Sequence, residues 1–253
     1  MSAPSDAAAL DVLLVGGGVA GLWALDSLAS RGHTCLLVET GELGAGQTVA
    51  SQGIIHGGLK YTLTGLLTGS AKNIREMPGV WRRCVEGNPD PLLPGEANPG
   101  SHPDLSATPV RAPFCYLWRS ESLTGRLGMI GAKAGLRVAP TALPPEQVPG
   151  VLKGVRGPVC RLDEQVLSPA GFVANLRERN RDRLLHIAAN GLSFHTEENR
   201  VTAVALTGPH GQSLTIAPRH VALTAGAGNA GLLEKLGLPA SPEVPQMQRR
   251  PLH

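Results

Sequence analysis

Leu10–Val15 (LDVLLV) is a continuous apolar run with none of the alternation of a half-exposed strand. Such a run fits a parallel strand covered on both faces. A glycine cluster follows it, and Val19–Ser30 then carries Leu22, Leu25 and Leu28 at helical spacing. Gly32 ends the predicted helix, and His33–Glu39 (HTCLLVE) reads as a second apolar strand. Strand, glycine turn, helix and strand fit within about 30 residues, the length of one βαβ unit.

Beyond that unit the pattern is less regular. Residues 41–61 are loop-like and rich in glycine, and residues 1–9 read as a disordered leader. Gly69–Glu86 predicts a helix, with Ile74, Met77 and Trp81 on one side and an interruption at Pro78. Gly87–Pro113, dominated by Pro, Asn, Asp and Gly, predicts a long surface excursion. Ala112–Trp118 reads as a strand, Leu123–Gly135 as a short helix and Leu143–Gly150 as a Pro-rich link. Ser168-Pro169 marks a helix start, with the helix running over Ala170–Asn180. Strands are expected at Leu192–His195 and Val201–Thr207, with a turn at Gly208–Gly211 and a hairpin partner at Ser213–Ile216. A separate buried strand, His220–Thr224, then enters Ala225-Gly226-Ala227-Gly228, and a helix covers Ala230–Leu236. No internal repeat is present.

Composition narrows the class. The 253 residues are 42% hydrophobic and 17% charged, which suits a globular α/β protein of one or two domains and excludes a disordered one. Net charge is only +3, and no basic run is interleaved with aromatics, so nucleic acid is not an expected partner. Arg177, Arg179, Arg181 and Arg183 alternate with Glu178 and Asp182 and read as a solvated helix face. Cys35, Cys84, Cys115 and Cys160 form no C-x-x-C pair; no metal site is expected, and a reducing cytoplasm fits. No signal or transmembrane segment is expected at the N-terminus.

The chemistry begins at Gly16-x-Gly18-x-x-Gly21. Gly16 makes the tight turn after the strand, Gly18 lets a pyrophosphate approach the backbone, and Gly21 allows close helix packing. The free amides at the helix start, Val19 and Ala20 among them, suit phosphate oxygens. Glu39, at the end of the second strand, is placed to accept hydrogen bonds from an adenosine ribose and disfavours a 2′-phosphate. NAD and FAD both satisfy this pattern.

The next segment distinguishes them. Thr48-Val49-Ala50-Ser51-Gln52-Gly53-Ile54-Ile55-His56-Gly57-Gly58-Leu59 resembles the D-amino-acid-oxidase-like superfamily of FAD-dependent oxidoreductases. That group includes glycine oxidase, sarcosine oxidase, glycerol-3-phosphate dehydrogenase and L-2-hydroxyglutarate dehydrogenase. Its members carry here a glycine-rich, hydroxyl-bearing stretch that runs beneath the FAD pyrophosphate and along the isoalloxazine, which implicates Thr48, Ser51, Gln52 and Gly53. His220–Gly228 (HVALTAGAG) resembles the superfamily's second cofactor turn, implicating Ala225 and Gly226, and Val201 matches the position whose backbone meets the adenine. The implied fold class is α/β: a Rossmann-like FAD-binding domain with a parallel sheet, plus an incomplete, mainly β (α+β) substrate region. The expected division is 10–86 and 151–236 for the FAD-binding domain, 87–150 for a substrate or cap region, and 237–253 for the start of a further strand.

His56-Gly57-Gly58-Leu59-Lys60-Tyr61 is similar to the HGGLRY stretch of glycerol-3-phosphate dehydrogenases, with lysine in place of arginine. The resemblance implies that Lys60 helps hold a small anionic substrate, although lysine is a single-point clamp. Three roles are open to His56: a base near flavin N5, a covalent flavin link, or a hydrogen bond that supports the loop. Tyr61 is either a site residue or packing. The expected activity is hydride transfer to flavin N5 from an amine or amino acid, or from a hydroxy acid or polyol phosphate, with the latter slightly favoured. The alternative is a non-catalytic or partner-dependent flavin-binding remnant. Superfamily members continue past the second glycine turn, whereas residues 246–253 look like the first strand of that continuation. A truncated product, or one piece completed by a second chain, is therefore the expectation.

Overall fold

The structure is a computed structural model that describes residues 8–57, 69–87, 102–118 and 141–238. Its elements in chain order are β1 (Ala8–Val15), α1 (Val19–Ser30), β2 (Cys35–Glu39), α2 (Gln47–Ala50), α3 (Gly69–Val85), β3 (Val110–Ala112), β4 (Cys115–Trp118) and β5 (Thr141–Ala142). They continue with β6 (Val159–Leu162), β7 (Val166–Leu167), α4 (Pro169–Arg179), β8 (Leu184–His186), β9 (Leu192–Glu197), β10 (Arg200–Thr207), β11 (Ser213–Leu223) and α5 (Asn229–Lys235). The expected helix over 123–135, the leader up to residue 7, most of the surface excursion (88–101) and the strand at 246–253 lie outside the described residues.

The chain divides into two compact units. The first holds the described residues up to Ala50, His102–Pro103, and those from Val173 onward. Its strands form a six-stranded sheet in the order β8-β2-β1-β11-β10-β9. β1 runs parallel to β2 on one side and to β11 on the other, and β8 is parallel to β2. β10 and β9 complete the sheet as antiparallel strands. In β1, Leu13, Leu14 and Val15 are all buried although their side chains alternate between faces, so both faces are covered, as the unbroken apolar run predicts. One face packs Leu13, Val15, Val38, Val204 and Ile216 into a core that Leu232 of α5 adjoins. β9 and β10 are joined through Glu198 and Asn199, both at positive φ (47° and 63°), the backbone of a two-residue hairpin turn whose twist matches the strands.

The second unit, Ser51–Gly87 and Asp104–Phe172 among the described residues, is built from short antiparallel pieces and α3. β4-β6-β5 form one small sheet, β3 pairs with β7, and Ile54 makes an isolated antiparallel bridge to Val166. Trp81 of α3 stacks in a tilted arrangement on Phe172, with ring centroids 5.5 Å apart.

Several expectations need correction. Ser213–Ile216 and His220–Thr224 are one strand, β11: its antiparallel ladder with β10 ends at Ile216, so Pro218 has no donor to supply there, and β1 carries the pairing onward. Ala112–Trp118 is two strands, β3 and β4, because Pro113 and Phe114 form the bend between them. Within the expected surface excursion Leu105 and Thr108 are buried, and Leu105 donates to Cys84 O at 2.9 Å. The short strands β5, β6, β7 and β8 were not expected; two to four residues carry too little periodicity to register. Arg179 is not simply solvated: its Nε lies 3.0 Å from Oδ1 of Asp26, a buried carboxylate of α1.

Candidate functional site

In the first unit the glycine turn lies where β1 and β11 end side by side. Gly16 has φ +114°, a conformation that L side chains rarely adopt, and its amide donates to Val38 O at 2.9 Å. Thr224 closes the turn from the other strand, donating its hydroxyl to Gly16 O at 2.8 Å and its amide to Val15 O at 2.8 Å. Ala225 is backbone-close to Gly16, and its amide donates to Asn229 Oδ1 at 2.8 Å. Among the described residues nothing lies within 4 Å of a β-carbon placed on Gly226. β10 runs antiparallel to β11, so Val201 near its start lies towards the end of the sheet that carries these turns.

α1 opens directly from this turn. The Val19 amide donates to Thr48 Oγ1 at 3.0 Å and the Leu22 amide to Gly18 O at 3.0 Å. Those of Ala20 and Gly21 find no acceptor among the described residues. Val19 and Ala20 are exposed, and among the described residues a β-carbon on Gly18 would meet only Thr48 Oγ1, at 3.4 Å, so backbone donors stand open there. Such a helix start attracts anions through its orphan amides and its dipole.

Glu39 sits beside it. Its Oε2 accepts the Gly17 amide at 2.7 Å, and Oε1 accepts the amides of Thr40 (2.7 Å) and Gly41 (2.9 Å). Burial pushes the carboxyl up, but the hydrogen bonds from Gly17, Gly41 and Thr40 together outweigh it and hold it below the ordinary glutamate range. Oε2 keeps a second lone pair for a further donor such as a ribose hydroxyl.

In the second unit Gly53 (φ +73°) packs so tightly that a β-carbon would lie 2.1 Å from Leu167 O. Ser51 and Gln52 are exposed next to it. His56 is exposed, with Nδ1 3.5 Å from Oε2 of the buried Glu164, while Glu164 Oε1 accepts the Gly57 amide at 2.7 Å. Burial, with a smaller contribution from Glu164, pushes the Cys115 thiol up, away from a reactive thiolate. Lys60 and Tyr61 lie outside the described residues. Among the described residues, no group of three or more His, Cys, Asp or Glu gathers as a metal site, and no helix is long and apolar enough to cross a membrane.

The structure thus brings Gly16, Gly18, Val19, Ala20, Gly21, Glu39, Thr48, Ala225 and Gly226 to one end of the first unit's sheet, with Val201 two strands from β1. Ser51, Gln52, Gly53 and His56 belong to the second unit. Sequence reasoning placed Thr224 in the second cofactor turn without giving its side chain a role, and missed Asn229 and Glu164. A threonine ahead of a glycine turn was a readable signal; Glu164, 107 positions from Gly57, carried none.

A glycine turn, an open helix start and a carboxylate at the end of β2 define a dinucleotide-binding α/β protein. The chain belongs to the FAD-dependent oxidoreductase (DAO) family, whose profile matches residues 11–251, and FAD is that family's cofactor. It is 38% identical over 245 residues to the probable FAD-dependent oxidoreductase PA4991 of Pseudomonas aeruginosa, covering 96% of this chain and 57% of that protein. The crystal structure of PA4991 superimposes with a TM-score of 0.66 at 30% identity, over 93% of this chain and 52% of that one. Glycerol-3-phosphate dehydrogenase 1 of Mycobacterium tuberculosis is 40% identical over 65 residues, 26% of this chain and 13% of that enzyme. Glycine oxidase of Geobacillus kaustophilus shares the fold (TM-score 0.62, 16% identity, 91% of this chain and 59% of that one). The chain therefore spans little more than half the length of PA4991.

Proposed function

We propose that this chain holds FAD with its first unit and takes part in oxidising a small anionic substrate at a C–H bond next to a hydroxyl or an amine. The carrying observation is the open start of α1, where the amides of Ala20 and Gly21 have no acceptor among the described residues, beside the carboxylate of Glu39. Phosphate oxygens suit those amides, and a ribose hydroxyl suits the free lone pair of Glu39. When bound, FAD supplies the two-electron acceptor at N5.

The chain's own residues would supply orientation and proton transfer. Gly18 keeps a side chain out of the phosphate path, Gly16 and Gly21 allow the close contacts of the turn, and Thr48 fixes the helix start by accepting the Val19 amide. Ser51, Gln52 and Gly53 offer hydroxyl, amide and bare backbone to the ring; Val201, Ala225 and Gly226 offer backbone to the remainder of the cofactor. His56 takes the substrate's hydroxyl or amine proton as the neighbouring C–H bond breaks, and Lys60 pairs with the substrate anion, with Tyr61 beside it in sequence. The local similarity to a glycerol-3-phosphate dehydrogenase, together with His56–Tyr61, favours a hydroxy acid or polyol phosphate over an amine. Further residues, on this polypeptide or a second chain, complete the substrate site. Four cysteines outside any disulfide favour a reducing compartment, the cytoplasm.

The test is optical. The purified chain should be yellow, and its visible bands should bleach on anaerobic addition of a hydroxy acid or polyol phosphate. A yellow protein that no such substrate or amine bleaches supports flavin binding without catalysis. A colourless protein that binds NAD overturns the reading.

A further inference from the structure

One stretch of the second unit holds residues 53–57 along their length. Leu167 donates its amide to Gly53 O at 2.9 Å, Ile54 bridges to Val166, and the Ile55 amide donates to Gln165 O at 2.9 Å. The fourth contact departs from this backbone pattern. There the Gly57 amide meets a side chain, Glu164 Oε1, at 2.7 Å, and the carboxylate's other oxygen lies 3.5 Å from His56 Nδ1.

The chemistry of that side chain carries the argument. Glu164 is 8% exposed and His56 57% exposed, so the carboxylate is the buried partner and the ring the accessible one. Burying a carboxylate is costly, and a neutral acceptor would serve the Gly57 amide equally well. What a carboxylate adds is a second oxygen that can only accept. Facing His56, it favours the proton on Nδ1, which leaves the lone pair of the neutral ring on Nε2. The 3.5 Å separation is within ion-pair reach and closes to a hydrogen bond with a small rotation of an exposed ring.

We infer that Glu164 is a positioning residue for His56: it fixes the Nδ1–H tautomer, so that Nε2 is the atom that accepts the substrate proton. The inference rests on the assignment of His56 as proton acceptor, but its central readout needs neither flavin nor substrate.

The experiment records two-bond 1H–15N correlations of the imidazoles in the 15N-histidine-labelled chain at alkaline pH, with His56→Gln identifying the signal. The wild type should show the Nδ1–H tautomer. In Glu164→Gln the single oxygen stays with the Gly57 amide and the NH2 turns to Nδ1, so the ring should switch to Nε2–H and its two nitrogens should exchange shifts. Gly57 amide exchange should stay slow in that variant and speed up about tenfold or more in Glu164→Ala, which separates tautomer control from loop support. In the flavin-loaded chain, Glu164→Gln should lower kcat about a hundredfold with little change in KM. An Nε2–H wild type, or an unchanged tautomer in Glu164→Gln, overturns the inference. If Glu164→Gln does not fold, the wild-type tautomer decides alone. A chain that fixes Nδ1–H yet oxidises nothing defeats the proposed function, and with it the proton-accepting role of Nε2, and leaves the control of the His56 tautomer by Glu164 standing.

Discussion

A β-carbon on residue 16 would lie 2.5 Å from Ala225 Cα and 2.6 Å from Ala225 N, so Gly16 and Ala225 touch backbone to backbone. On the other side of the same turn, a β-carbon on Gly21 would lie 2.0 Å from Gly16 O, a backbone atom, and 2.8 Å from Thr224 Oγ1. Segments more than 200 residues apart in sequence are therefore locked where β1 and β11 end, and Thr224 binds them by donating to both Val15 O and Gly16 O.

Gly16→Ala should accordingly be severe. It combines a φ of +114° with a clash against immobile backbone, and a loss of about 3 kcal/mol or more is expected by chemical denaturation, with loss of flavin retention. Gly226→Ala is the control: φ is +56° and no described residue stands within 4 Å of the added β-carbon, so only about 1–2 kcal/mol should be lost. Equal losses in the two variants would refute the backbone-contact account.

Asp26 of α1 is 4% exposed and receives Arg179 Nε at 3.0 Å and Asn180 Nδ2 at 2.8 Å. Arg179→Met should leave a buried carboxylate with Asn180 as its remaining strong donor, at a cost of about 2–3 kcal/mol because the guanidinium is partly solvated. Adding Asp26→Leu to Arg179→Met should restore stability to within about 1 kcal/mol of wild type, since the uncompensated charge is gone. Denaturation of both single variants and the double variant completes the cycle; additive losses would count against a coupled pair.

The sequence made the first unit more legible than the second for a physical reason. The buried run of β1, the glycines and the leucines of α1 are consecutive, so their pattern survives in a one-dimensional reading, and α1 and the α4 and α5 helices lie where periodicity and a first-turn proline put them. β11 reads in the sequence as two strands on either side of Ala217-Pro218-Arg219, whereas the ladder that would need the Pro218 amide has already ended at Ile216. The second unit is built from pieces of two to four residues whose partners are distant, and Glu164 acquires a role only when folding brings it to Gly57. The same distance explains why Arg179 read as a solvated face: its partner Asp26 is 153 positions away.

Thr48 accepts the Val19 amide, so a residue of the following loop does the work of an N-cap for α1, whose own Gly18 has no side chain to offer. Thr48→Val preserves shape and removes the acceptor; about 1 kcal/mol of stability should be lost, together with weaker FAD retention in a dialysis assay. Thr48→Ser keeps the oxygen and should behave nearly as wild type. If serine and valine are equally damaging, the methyl contact rather than the hydrogen bond fixes the start of α1.

Glu39 makes the fold sensitive to acid in a defined direction. Its folded-state carboxyl lies below the ordinary value of 4.5, because three backbone amides favour the ionised form more than burial opposes it. A group depressed on folding contributes stability that is fully present above its unfolded value and is lost as pH falls through its folded value. Glu39→Gln should therefore be less stable than wild type at neutral pH. The gap should hold steady down to near pH 4.5 and narrow below it, as protonation removes from the wild type what the substitution removed from the variant. Denaturant midpoints of both proteins across an acid series test this. A gap that widens on acidification would mean that burial, not the amides of Gly17, Thr40 and Gly41, dominates the carboxylate's surroundings.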